Sequence, residues 1–283
     1  MKKIILIIFL SVGYLYSDSI YLSNGNVIKG SIIFMDKDLA KIETADGVLE
    51  IEKKRIVRGE FFGDGNELSG DLVFEFSIDG NIKDTSGSGY KIKTKSIPYT
   101  EDVLNDENGA LLSKGGGEYF YIEDSKTISD IEEFTIAMSF YPIDTTEQSY
   151  LISNWQNTYK NRKAEGRFSL SILNKTVVLF VVDSNGYYQS IAASDVLILK
   201  EWNSIAMRFG SGKMSLYVNG KTVAENTIPT QTLLKGEWPL YFMTAKYVKN
   251  RVEDYKKYNI KGKLDKIRMW DSTLSDNELN LLY

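Results

Sequence analysis

Two stretches of the 283-residue chain concentrate side chains able to grip a ring-shaped or anionic ligand. Residues 246–263, "KYVKNRVEDYKKYNIKGK", carry Lys246, Lys249, Arg251, Lys256, Lys257, Lys261 and Lys263 against only Glu253 and Asp254. Tyr247, Tyr255 and Tyr258 are interleaved with them. Residues 155–167, "WQNTYKNRKAEGR", hold Trp155, Tyr159, Lys160, Arg162, Lys163 and Arg167. Sugars stack on aromatic faces, and Lys or Arg pairs with carboxylate or sulfate groups. Trp155, Tyr159, Arg162, Lys163, Tyr247, Arg251, Tyr255 and Lys256 are therefore the candidate ligand-binding residues. The same composition also fits solvated, Lys-rich loops.

Catalytic chemistry is narrowed by subtraction. The chain has no His and no Cys, which excludes Ser–His–Asp triads, Cys–His dyads, thiolate metal sites, imidazole bases and disulfides. Carboxylates, Lys, Tyr and Ser remain. Glu123-Asp124 and Glu132-Glu133 are adjacent acids, and neighbours on a strand point to opposite faces, so they read as solvated charges. No enzyme is expected. The net charge of −4 gives no sign of nucleic-acid binding by the chain as a whole.

The elements that must position these residues are strands. Residues 1–17 read as a signal peptide: Lys2 and Lys3, an apolar run from Ile4 to Tyr16, then Ser17 before the polar Asp18. That run of about 13 residues is well short of the roughly 20 that span a bilayer, and no later segment is apolar enough to cross one. The expectation is an exported protein of the periplasm, cell surface or medium, without a span once the signal is removed.

Residues 18–58 form a small β module, with turns at Asn24-Gly25, Asp36-Lys37-Asp38 and Asp46-Gly47. So short a segment needs either its neighbour or one further strand to complete a core. Residues 59–71, punctuated by Gly59, Gly63, Gly65 and Gly70, read as a linker that Phe61 and Phe62 could pin down. From residue 72 to 283 short strands follow one another. Phe134, Ile136, Met138 and Phe140 alternate with Thr135, Ala137 and Ser139, and Lys213–Val218 leads into Asn219-Gly220, a two-residue hairpin turn. An all-β sandwich follows, with one helix at the end. Ser275 and Glu278 form a capping box for residues 276–282, anchored by Trp270 and Leu274.

Several of these segments together resemble laminin-G-like domains of the concanavalin A-like lectin/glucanase superfamily. They are "LVFEFSIDGNIKDTSGSG", "EEFTIAMSFYP", "LKEWNSIAMRF", "KMSLYVNGKTV" and "IKGKLDKIRMWDSTLSDNEL". Departures from the family pattern are Asn203 for its His, Met243 where Gly is common, and Phe140 for a strand Trp. The N-terminal pattern resembles small SH3-like or Sm-like modules of bacterial envelope proteins.

The resemblance implies a jelly-roll sandwich and a role in binding glycans, matrix components or envelope partners. It places residues 246–263 in a loop joining two late strands, on the same rim as the loop around Tyr159. Glycosidases of this fold carry Glu-x-Asp-x-x-Glu on one strand, and no Glu here is followed two residues later by Asp. Asp79, Asp84 and Asp265 match acidic family positions near a calcium site, while Asp79 and Asp84 also fit plain turn roles and Asp265 a pairing with a neighbouring base.

The leader generates the first prediction. N-terminal sequencing of the mature protein should begin near Asp18, and recovery of intact Met1 from washed membranes would contradict it.

Overall fold

The computed structural model describes residues 18–35, 39–44, 46–60, 68–103, 106–123, 126–157, 166–249 and 252–282. The expected signal peptide, the turn at Asp36–Asp38, and Phe61 and Phe62 lie outside them. No helix among the described residues is long and apolar enough to cross a membrane. The chain divides into two compact units, Met1–Glu67 and Leu68–Tyr283.

The smaller unit is one five-stranded antiparallel sheet. Its strands are Asp18–Leu22, Val27–Met35, Leu39–Thr44, Gly47–Glu52 and Ile56–Glu60, in the order fourth, third, second, first, fifth. Ile20, Leu22, Ala40, Ile42 and Ile51 are buried. The fifth strand starts within the expected module, at Ile56, and pairs Glu60 with Ser19. It also takes Gly59 and Glu60 out of the expected linker. At the linker's other end, Leu68 packs with the larger unit's outer apolar cluster. Ser69 N–H donates to Glu278 Oε1 at 2.7 Å and Asp71 N–H to Asp271 Oδ1 at 2.6 Å.

The larger unit is a sandwich of two sheets. A nine-stranded sheet is built around Phe134–Asp144 and Lys261–Trp270, which pair with each other. A seven-stranded sheet runs in the order Tyr188–Ala193, Thr176–Val182, Phe168–Leu173, Ser149–Ser153, Leu240–Phe242, Tyr119–Ile122, Ile92–Lys95. Period-2 alternation gives each strand one face for the core. Phe134, Ile136, Met138 and Phe140 all point inward and are at most 1% exposed. Phe74, Phe76, Phe120 and Phe242 interlock across the sheets. Phe120 stacks on Phe242 at 4.4 Å, and Phe76 meets Phe242 edge-on at 5.4 Å.

The turns follow the local chemistry. Asn219 and Gly220 both have positive φ (48° and 95°), as the tight hairpin requires. The capping box at Ser275 and Glu278 opens the helix Asp276–Leu281, which covers Ala137, Ala206, Tyr217 and Trp270 on the outer face of the nine-stranded sheet. A second helix, Lys126–Asp130, was not expected, because one turn is too short to show a helical period. Met243 explains one departure from the family pattern. It is fully buried at φ 69°, a conformation that suits glycine and strains a long side chain.

A polar clasp at the buried Asn259 ties residues 113–118 to Met243. Asn259 Oδ1 accepts from Ser113 Oγ at 2.8 Å and Gly117 N–H at 2.9 Å, while its Nδ2 donates to the carbonyls of Glu118 and Met243 at 2.7 and 2.8 Å. Asn259→Ala removes four hydrogen bonds, two of them buried, so urea unfolding should show a loss of about 3 kcal/mol. A change within 0.5 kcal/mol, the order typical of a surface site, would show the clasp to be dispensable.

Candidate functional site

The candidate site lies on the outer face of the seven-stranded sheet, where the residues alternating with the core emerge. One cross-strand row runs Lys93, Tyr121, Tyr241, Ser153, Ser169, Phe180, Ser190. Both of the predicted segments rise from this face. Gln156–Asn157 pairs in parallel with Lys246–Lys249, which pairs in turn with Val252–Asp254. Gln156 lies opposite Lys246 and Asn157 opposite Tyr247. Two stretches some ninety residues apart in sequence thus form one three-stranded strap.

Small side chains fill the row's centre. Ser153, Ser169 and Ser171 are buried although they face away from the core. Ser153, Trp155, Ala245 and Tyr258 close around a cavity of about 10 Å³, roughly the room one water occupies. Ser169 Oγ is buried without a hydrogen-bond partner.

The aromatic residues divide into two clusters. On one side Tyr119 stacks on Tyr255 at 4.5 Å and Tyr121 on Tyr241 at 5.3 Å, with the hydroxyls of Tyr241 and Tyr255 3.5 Å apart. Lys93 lies 5.9 Å from the Tyr121 ring centre and pairs with Glu123, whose carboxylate holds the Lys93 ammonium above its usual pKa. On the other side Trp155 lies parallel to Phe180 at 4.6 Å, with Tyr188 beside both. Phe180 and Tyr241 are three strand spacings apart, about 14 Å. Trp155 and Tyr255 were expected in a single site, and the structure assigns them to different clusters.

Of the other predicted residues, Tyr247 sits in the strap strand Lys246–Lys249, and Lys256 is exposed just after the strap's last strand. Tyr159, Arg162, Lys163 and Arg251 lie outside the described residues. The basic character beside Lys256 is diluted. Lys256, Lys257 and Tyr258 share an open cleft of about 590 Å³ with Glu147, Gln148 and Asp254. Asp254 Oδ1 accepts the Lys256 N–H at 2.9 Å. Sequence reading missed Tyr119, Tyr121, Tyr241, Phe180 and Tyr188. Their signal was the aromatic residue at alternate positions in "YFYI" and "LYF", which shows only once Phe120 and Phe242 are known to face inward.

The calcium expectation does not fit. Asp84 is consumed by its own turn: its carboxylate accepts from Ser86 N–H and Oγ, from Tyr90 N–H and from Glu75 N–H. Burial works against its charge, but these donors outweigh burial and lower its pKa. Asp79 is exposed at the end of the strand Leu72–Ile78, while Asp265 is 7% exposed in mid-strand opposite Ser139. No group of three acidic side chains able to hold a metal ion forms among the described residues.

The fold has a name in known proteins. The chain belongs to the laminin G 3 family, described as the concanavalin A-like lectin/glucanases superfamily, whose profile matches residues 114–280. The match starts later than residue 72, although Leu72–Ile78 pairs with Lys261–Trp270 within the same sandwich.

Solved structures share the fold. The binding domain of Paraclostridial mosquitocidal protein 1 has TM-score 0.58 and 16% identity, covering 75% of this chain and 51% of that one. The botulinum neurotoxin DC binding domain, solved with SialylT, has TM-score 0.55 and 15% identity, covering 75% and 50%. The same toxin's binding domain with rat synaptotagmin II has TM-score 0.56 and 15% identity, covering 75% and 51%. The chain spans about half the length of these structures. No curated protein matches it by sequence.

Asp265 yields a pH prediction. Burial pushes its carboxyl up to about 6; the N–H and ammonium of Lys266 and the charge of Arg268 oppose the rise, and Asp102 adds to it. The folded state therefore keeps a proton that the unfolded chain has already released. The contribution of Asp265 to stability is full below about pH 4 and is lost as pH rises through 6. The stability of Asp265→Asn relative to wild type should rise by on the order of 2–3 kcal/mol between pH 4 and neutral pH. Parallel denaturation curves for the two proteins would show Asp265 to be unperturbed.

Proposed function

We propose that the protein is an exported, non-catalytic binding module whose strap and adjoining tyrosine cluster take an anionic glycan or matrix polymer. The observation that carries this reading is the pairing of the two basic–aromatic segments through Gln156–Asn157 and Lys246–Lys249, beside the Tyr119–Tyr255 stack. Ring faces supply stacking area, and the lysines in and beside the strap supply charge. The lack of His, Cys and the Glu-x-Asp motif supports the non-catalytic part. That solved relatives of the fold are toxin binding domains, one of them with SialylT bound, supports the ligand class.

A second reading has its own observation. The edge strand Gly47–Glu52 of the small module leaves Val48 and Leu49 exposed at 52% and 43%. Exposed apolar edge strands invite pairing with another chain. This favours an envelope partner held by an SH3-like or Sm-like module, with the sandwich as a second arm.

Changing Arg162, Lys163, Arg251 and Lys256 to Ser separates the two. Changes of charged residues outside packed features cost at most about 0.5 kcal/mol each, and thermal melts of the variant check that folding persists. Retention on a sulfated or carboxylated polymer column should drop, and wild-type retention should weaken as salt screens the charges. Absence of wild-type retention at low salt would sink the first reading. Co-purification with an envelope complex, unaffected by the four changes, would install the second.

A further inference from the structure

We infer that one end of the sandwich is a membrane-docking tip, on which Ile143, Leu173, Ile198 and Leu199 enter a zwitterionic phospholipid surface. None of the eight candidate ligand-binding residues belongs to this tip, so it stands independently of the anionic-polymer reading.

Three connections meet there. They are the close of the strand Phe134–Asp144, the hairpin between Phe168–Leu173 and Thr176–Val182, and the segment from Tyr188–Ala193 to Asn203–Gly210. Asn174 N–H donates to the Thr145 carbonyl at 2.6 Å and Lys200 N–H to the Pro142 carbonyl at 2.8 Å. Lys175 pairs with Asp195 at 3.1 Å. Each connection carries aliphatic side chains into solvent: Ile143 and Leu173 are each 41% exposed, Ile198 50% and Leu199 39%. These are four of the five large aliphatic side chains exposed among the described residues of the larger unit. Single exposed apolar residues are ordinary, whereas four gathered at one end mark a contact surface.

The backbone beneath them is already provided for. Asn203, 1% exposed, accepts the Ile198 N–H at 2.9 Å and donates to the carbonyls of Ile198 and Glu201 at 2.9 and 2.8 Å. Lys175 N–H donates to Thr145 Oγ1 at 3.1 Å. Polar backbone groups that leave water unpaired are costly in a lipid boundary, and these keep their partners when the tip leaves water. Leu197, 3% exposed, packs into the core and anchors the turn from within.

The side chains distinguish lipid from a protein face. Protein interfaces anchor on Trp, Tyr and Arg and are depleted in Leu and Lys. Here Ile and Leu hold the apexes, with Lys175 and Lys200 beside them. Tyr141 and Trp202, both half-buried, meet edge-on at 5.7 Å next to the Pro142–Lys200 link. Tyr and Trp are the residues that settle at headgroup depth, while apolar neighbours reach the acyl boundary. Charge then sets the headgroup. Besides Lys175–Asp195, Lys261 pairs with Asp144 and Glu147 at 3.1 and 3.4 Å, and Lys200 adjoins Glu201. Both signs recur across the tip, which matches a headgroup that itself carries both.

The test uses the exported form, beginning near Asp18, so that the apolar leader cannot itself insert. It is sedimented with vesicles of phosphatidylcholine alone and of phosphatidylcholine mixed with phosphatidylglycerol, at low and high salt. Wild type should bind both, with little change as salt rises. Ile198→Ser/Leu199→Ser, its fold checked by thermal melts, should bind at least about tenfold more weakly. Ile143→Ser/Leu173→Ser, on the other two connections, should also weaken binding, and it decides the matter if the first variant does not fold. The Arg162, Lys163, Arg251, Lys256 quadruple Ser variant should sediment like wild type, whatever becomes of its binding to anionic polymer. Absence of wild-type binding to phosphatidylcholine overturns the inference, as does full binding by a folded apex variant. Binding that requires phosphatidylglycerol and disappears at high salt also overturns it, by assigning the contact to charge. Self-association without vesicle binding, lost in the apex variants, overturns lipid as the occupant in favour of a second copy of the chain.

Discussion

The stack of Phe120 on Phe242, wedged by Phe74 and Phe76 from the facing sheet, is the contact on which the rest of the sandwich depends. It lies where the two sheets meet, and large aromatic side chains dominate the energetics of such cores. Its second consequence is geometric. Strand side chains alternate strictly, so locking Phe120 and Phe242 inward obliges Tyr119, Tyr121 and Tyr241 to face out. A slip of one residue would bury three tyrosine hydroxyls and expose two phenylalanines. The same contact that holds the core therefore also creates the outer tyrosine cluster.

The outer faces of the two sheets have different fates. On the nine-stranded sheet, the C-terminal helix covers one area and is latched by Arg208. This nearly buried guanidinium bonds Ser215 and the Leu274 carbonyl and pairs with Asp276 at 2.9 Å. On the seven-stranded sheet, the cover is the short strap, set over a floor of serines. The strap leaves an aromatic group on either side, one of them flanked by Lys93. The binding function proposed for it needs stacking area and charge, and no group that moves a proton.

The sequence alone determined the class of fold, the turn positions, the capped terminal helix and the exclusion of imidazole and thiol chemistry. These depend on local rules. Alternation, Asn-Gly turns and a capping box act over a few residues, and missing residue types need no structure at all. It also picked out the two basic–aromatic segments, because charge density is a property of sequence. Only the tertiary structure decided their pairing, since Asn157 and Tyr247 meet through a ladder that joins distant parts of the chain. It separated Trp155 from Tyr255, because the strands beneath them are not neighbours in the sheet. It found the tyrosines of "YFYI" and "LYF", whose outward direction follows from which neighbours the core accepted. It also tied Asp84 into its own turn and buried Asp265 in mid-strand, because the donors that claim a carboxylate are set by the local fold and a resemblance in spacing cannot report them.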